Sequence, residues 1–126
     1  MINVPHILLA AGASRRMGEP KQLLRWGNKR LIQFQIENIL NTTKRLYVIL
    51  GAHADLIEPF LIRYDIELIR FNEWENGMGD SLAFGVKHIK NSLSNLDGIL
   101  VSLIDQPLVL TSHYLKMRNI FEKDKK

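Results

Sequence analysis

Short apolar runs of strand length alternate with longer amphipathic stretches along the chain, and this alternation limits its folds more than any other feature. Strands are predicted over residues 4–10, 45–50, 66–71 and 98–103, each apolar and bounded by turn residues. Between them, Leu31, Phe34, Ile36, Ile39 and Leu40 keep helical spacing up to the break at Asn41, Thr42 and Thr43. Leu56, Ile57, Phe60 and Leu61 outline a shorter helix, and a third is predicted over about residues 80–91. Thr111 or Ser112 can cap a last helix carrying Leu115, Met117, Ile120 and Phe121, ahead of a charged tail. Strands that alternate with helices form βαβ units with a shared handedness. The predicted fold is therefore α/β, three layers α/β/α, Rossmann-like, with a mostly parallel sheet and its first strand near the centre. Residues 1–126 read as a single domain, without linker or internal repeat.

Composition narrows the chemistry. The 126 residues are 46% hydrophobic and 24% charged, enough to bury a core. The longest apolar runs, residues 7–11 and 99–104, fall far short of the ~20 residues of a membrane span, and the first residues do not read as a signal peptide. The expectation is a cytoplasmic protein with no membrane partner. With no cysteine, disulfides, zinc–thiolate sites and thiol catalysis are excluded, so a metal would need oxygen or imidazole ligands. His6, His53, His88 and His113 lack helical metal spacing and read as surface or packing residues. The net charge of +4 resides largely in Arg15, Arg16, Lys21, Arg25 and the terminal lysines, without a basic stripe interleaved with aromatics. A small phosphorylated ligand near the N-terminal loop fits this distribution better than nucleic acid.

Ligands of open α/β sheets bind beyond the carboxyl ends of the strands. The segments leaving the first, third and fourth predicted strands, residues 11–22, 72–81 and 104–109, are rich in glycine, proline and polar residues and would converge there. In the first, the small residues Ala10, Ala11, Gly12 and Ala13 let backbone N–H groups approach phosphate oxygens, and Arg16 and Lys21 add charge. Ser14 is a hydrogen-bond donor candidate, not a nucleophile, since no His and Asp arrangement accompanies it. Lys21 is followed by Gln22, so this is not a Walker A loop. In the second, Gly77 and Gly79 permit close backbone approach, and Asp80 or Ser81 can cap the next helix. Trp74 fits a lid over the ligand or packing at the sheet edge. In the third, Asp105 follows an apolar strand. Its carboxylate can hold a Mg²⁺ against phosphate oxygens, or form an Asx-type turn ahead of Pro107.

The string LAAGASRRMGEPKQLL, followed by Gly27, Leu31 and Ile32, resembles the signature of the MobA-like nucleoside triphosphate transferases, especially their molybdopterin cytidylyltransferase branch. Residues 72–82, NEWENGMGDSL, are similar to that family's base-side segment, and Asp105, Gln106 and Pro107 to its metal-site motif. The resemblance implies a nucleotide-diphospho-sugar transferase-like fold in which Leu9, Ala10, Ala11, Gly12, Ser14, Arg16 and Lys21 hold the triphosphate and Gly79 and Ser81 contact base or ribose. It implies Mg²⁺ on Asp105, with Arg16, Lys21 and Asp105 as the catalytic set. The implied reaction moves NMP, with CTP favoured over GTP by Ala10, Ala11 and Gly12, onto a molybdopterin-type phosphorylated acceptor and releases pyrophosphate. The family continues past its Asp-Gln-Pro motif with a further metal-site residue and most of the acceptor pocket. The chain is accordingly expected to be incomplete at its C-terminus, with an exposed face open to self-association. The alternative is a nucleotide-binding module without turnover.

Overall fold

The computed structural model describes residues 4–12, 15–16, 19–71, 77–93 and 96–104. Their strands are β1 (His6–Ala10), β2 (Arg15–Arg16), β3 (Glu19–Pro20), β4 (Arg25–Trp26), β5 (Lys29–Arg30), β6 (Leu46–Leu50), β7 (Glu67–Arg70) and β8 (Leu100–Leu103). The helices are α1 (Leu31–Leu40), α2 (Ala54–Ile57) and α3 (Met78–Ser92), with short 3-10 turns at Lys21–Leu23 and Glu58–Phe60. Four strands form one wholly parallel sheet in the order β7-β6-β1-β8. The first strand is interior, as the alternation of elements predicts. The expected helix around residues 56–61 is split, because Pro59 lacks the N–H that would continue α2 and the chain tightens into a 3-10 turn. The expected helix after Thr111 lies outside the described residues.

Every residue of β1 and β6 is buried, as fits strands covered on both faces. Alternation along β1 divides the core. Leu8 and Ala10 join Val48, Leu50, Ile57, Leu61 and the α1 residues Ile32, Ile36 and Ile39 on one face. Ile7, Leu9 and Ala11 join Tyr47, Ile49, Ile69 and the α3 residue Ile89 on the other. Three layers result, with α1 and α2 on one side and α3 on the other.

The β4–β5 hairpin, which the apolar pattern does not signal, turns through Gly27 at φ 68° and delivers the chain into α1. It is fastened from two directions. Arg30 bonds the Leu23 carbonyl at 3.0 Å, and Lys29 reaches the Glu37 carboxylate, which also receives Tyr64 and Arg63. Burial pushes the Glu37 carboxyl up, but hydrogen bonds from Lys29 and Tyr64 and the charges of Lys29 and Arg63 outweigh it and hold the group below the usual carboxylate range.

On the opposite layer, α3 lies so close to the sheet that a Cβ added at Gly85 would stand 2.4 Å from Ile49 Cδ1 and 3.6 Å from Ile7 Cδ1. Both isoleucines are fully buried, so neither can retreat far. Overpacking costs roughly 1–3 kcal/mol and Gly→Ala in a helix recovers up to about 1 kcal/mol, so Gly85→Ala should be tolerated. Gly85→Leu should lose about 3 kcal/mol in urea unfolding; a parent-like midpoint would show that α3 is not seated by this contact.

Candidate functional site

At the carboxyl end of the sheet the β1 ladder gives way to an open segment. Ala11 is buried and Gly12 exposed. The Ala11 carbonyl accepts from the Ala52 N–H at 3.2 Å, which ties the segment to the turn after β6. From the other side comes Gln22, in the 3-10 turn Lys21–Leu23. Its Nε2 donates to the Ala10 carbonyl at 2.8 Å and to the Gly12 carbonyl at 3.2 Å. Lys21, half-buried, opens the same turn. The loop and the lysine are thus joined through one buried carboxamide.

The second predicted segment ends at the same edge, because α3 begins after the carboxyl end of β7 and runs back across the sheet. Gly77, at φ 106°, makes the entry that a side chain would strain, and Ser81 donates its backbone N–H to the Gly77 carbonyl at 3.4 Å. Gly79 and Asp80 are exposed in the first turn, whereas Ser81 is only 2% exposed. On the third side, Ile104 donates its N–H to the Leu9 carbonyl at 3.2 Å and so extends the β8 pairing to its last described residue. Gln35 of α1 donates Nε2 to the Leu103 carbonyl at 3.3 Å.

The structure therefore gathers Leu9, Ala10, Ala11, Gly12, Lys21, Gly79 and Ser81 at one end of the sheet. Leu9 offers no side chain there, since it packs beneath α3, and Ala10 faces the opposite core cluster. Arg16 enters through its backbone alone, paired with Glu19 across the β2–β3 ladder; its side chain is outside what is described. Ser14, Trp74 and Asp105 lie outside the described residues. Among the described residues no group of three His, Asp or Glu could hold a metal ion.

Two features escape the sequence reading. Gln22 there only excludes a Walker A loop, yet it is the residue that grips the loop, and its residue type carries no signal of that contact. The exit of β6 carries no such signal either. Gly51, Ala52, His53 and Ala54 line an open pocket of about 350 Å³ together with Asp55, Leu56 and Arg70. Arg70 bonds Asp55 at 2.8 Å and Glu58 at 3.0 Å, and the hydrogen bonds to these carboxylates raise its pKa, keeping the guanidinium charged.

The sequence profile of the MobA-like NTP transferase domain matches residues 6–126. The chain belongs to that family. It is 35% identical over 111 residues to the nicotine blue oxidoreductase of Paenarthrobacter nicotinovorans, a match covering 82% of this chain and 50% of that protein. The chain spans about half the length of the curated relatives it matches. A nucleotidyl transferase from Methanothermobacter thermautotroptrophicus shares the fold with a TM-score of 0.78 at 24% identity, covering 92% of this chain and 56% of that one. The manganese complex of Rv0371C from Mycobacterium tuberculosis H37Rv does so with a TM-score of 0.77 at 19% identity, over 93% and 58%.

Proposed function

We propose that this domain binds a nucleoside triphosphate at the carboxyl end of the sheet and serves nucleotidyl transfer. The observation that carries the reading is the segment after β1. Its Ala10, Ala11 and Gly12 carbonyls are all engaged by the chain itself, so it offers a ligand N–H groups, the polarity that phosphate requires. Lys21 lies in the turn fastened to that segment, and Arg16 follows it in sequence. Membership of the MobA-like NTP transferase family supports the same assignment.

In this reading the N–H groups around Ala11 and Gly12, with Ser14, Arg16 and Lys21, hold the triphosphate, while Gly79 and Ser81 at the start of α3 approach base or ribose. CTP is the preferred nucleotide, and a phosphorylated molybdopterin-type pterin the acceptor. An acceptor phosphate oxygen attacks the α-phosphorus; the new P–O bond forms as the α–β bridge breaks, and its electron pair leaves with pyrophosphate. No protein nucleophile is needed. The chain contributes position and positive charge, the two effects that dominate such transfers. Mg²⁺ would be held by Asp105 and would add charge beside the phosphates; the metal assignment rests on that residue. No described helix is long and apolar enough to cross a membrane; the setting we propose is the cytoplasm. The face we propose for any self-association is the β8 edge, where Val101, 40% exposed, borders a groove with Leu82, Val86 and Ile99.

Incubation with Mg²⁺, labelled CTP and a phosphorylated pterin should release pyrophosphate. Saturable CTP binding without pyrophosphate would leave a nucleotide-binding module, and no binding of CTP, GTP or ATP would remove the reading altogether. Lys21→Ala should weaken CTP binding by about 1.5–3 kcal/mol in calorimetry, the range of charge-assisted hydrogen bonds, with an unchanged urea midpoint. Unaltered affinity would exclude a phosphate contact. Mg²⁺ relies on one or two carboxylates plus substrate phosphates, so metal and nucleotide should bind cooperatively. Asp105→Asn should then abolish the difference between CTP titrations in Mg²⁺ and in EDTA. If the difference persists, Asp105 serves the turn before Pro107 and not a metal.

A further inference from the structure

Gln22 is 2% exposed, and a buried carboxamide is costly unless its polar atoms are bonded. Both Nε2 hydrogens are committed, one to the Ala10 carbonyl at 2.8 Å and one to the Gly12 carbonyl at 3.2 Å. Because carbonyl oxygens only accept, these partners also settle which end of the carboxamide is the amine. Oε1 has no hydrogen-bond partner among the described residues, so the side chain is held by its donor end alone.

The two acceptors are not arbitrary. They flank the open segment, and the carbonyl between them, that of Ala11, takes the Ala52 N–H. In a planar trans peptide the C=O and the following N–H point in opposite directions, and no described peptide is cis. With the Ala10 carbonyl drawn toward Gln22, the Ala11 N–H is turned away from it. With the Ala11 carbonyl drawn toward Ala52, the Gly12 N–H is turned away from β6. A segment free to rotate these planes could equally present carbonyl lone pairs, which repel phosphate. Lys21 adjoins Gln22 in a turn of three residues, so the same anchor sets where the lysine's backbone stands.

We propose that Gln22 is a positioning residue of the phosphate loop: its carboxamide locks the peptide planes after β1 so that their N–H groups, and Lys21 beside them, face the nucleotide. The assignment rests on the nucleotide reading above and adds to it a residue that touches no ligand. Its effect passes through main-chain groups, which distinguishes it from a glutamine that merely fills space. Filling space would make an apolar residue of equal length a full replacement.

Gln22→Met keeps length and burial and removes both donors. Its urea midpoint should fall, since the Ala10 and Gly12 carbonyls lose their donors, but a cooperative transition should remain, and CTP affinity of the folded protein measured by calorimetry should fall about ten-fold or more as the peptide planes lose their fixed orientation. Gln22→Glu sets a carboxylate against two carbonyl oxygens. Its deficit should be larger near pH 8 and should narrow toward pH 5 as protonation restores one O–H donor, relative to the parent titrated at the same pH. Parent-like CTP affinity in Gln22→Met overturns the proposal; if that variant does not fold, parent-like affinity of Gln22→Glu near pH 8 does so. If the parent itself binds no CTP, the nucleotide reading fails, and the Gln22 assignment is decided by NMR of the free protein. The Ala10 and Gly12 carbonyl carbons and the Ala11 and Gly12 amide protons should then shift together in the variant. Carbonyl shifts with unmoved amides would overturn it, since the planes would be held by something else.

Discussion

The pairing of β1 on both edges and its burial on both faces is the constraint on which the rest of the structure depends. Leu8 stands opposite Val48 on one side and Ser102 on the other, and both faces of β1 are sealed by helices. A slip of one residue would send Leu8 to the α3 layer and Ile7 and Leu9 to the α1 layer, disturbing both cores at once. Each large apolar side chain misplaced puts roughly 1.5–3 kcal/mol at risk, so several together exceed anything the following loop could gain by moving. The energy that fixes where β1 ends is therefore core energy, and the loop inherits its position.

Polar groups within the core extend that control to the strand ends. His6, fully buried, bonds Ser102 Oγ at 2.6 Å and joins β1 to β8 through side chains as well as backbone. Gln35 reaches the end of β8 and Gln22 the end of β1, and in both cases the amine end meets a main-chain carbonyl while Oε1 has no partner among the described residues. Two neighbouring strands are thus gripped by carboxamides just where regular pairing stops, from α1 and from the turn before it. Donor groups placed there take up carbonyls that the ladder would otherwise leave unsatisfied in a buried setting.

The fold was legible because its signal is repeated. Four apolar runs and the helical spacing of Leu31, Phe34, Ile36, Ile39 and Leu40 each signal an element independently, so errors of one or two residues at the ends leave the topology intact. The β4–β5 hairpin was not legible, since its strands are two residues long and carry Arg25, Lys29 and Arg30, and no periodicity can build up over such a length. The glycines and Lys21 at the sheet's carboxyl end could be proposed as phosphate contacts from residue type alone, because small residues and cations say something about phosphate on their own. Gln22 could not. Its role comes from a fold that returns residues 20–23 beneath residues 10–12, and a carboxamide has the same composition whether it faces water or locks a loop.

The glycines show how a structural reason can be separated from one connected with a ligand. Gly85 answers to packing, since a Cβ there would press on Ile49 and anything larger would need the core to move, and Gly77 to its positive φ. Gly12 has neither requirement among the described residues: its φ is not positive, and an added Cβ would meet none of them within 4 Å. Alanine there would stabilise the fold by narrowing the unfolded ensemble, by about 0.4–1 kcal/mol where the conformation is compatible. The chain forgoes that gain at the very residue whose carbonyl Gln22 holds and beside which Lys21 is fastened. Open space over a fixed backbone does nothing for the packing of the described residues, but it suits the phosphate contact proposed for this segment, in which a methyl group at that position would stand between the phosphate and the N–H donors.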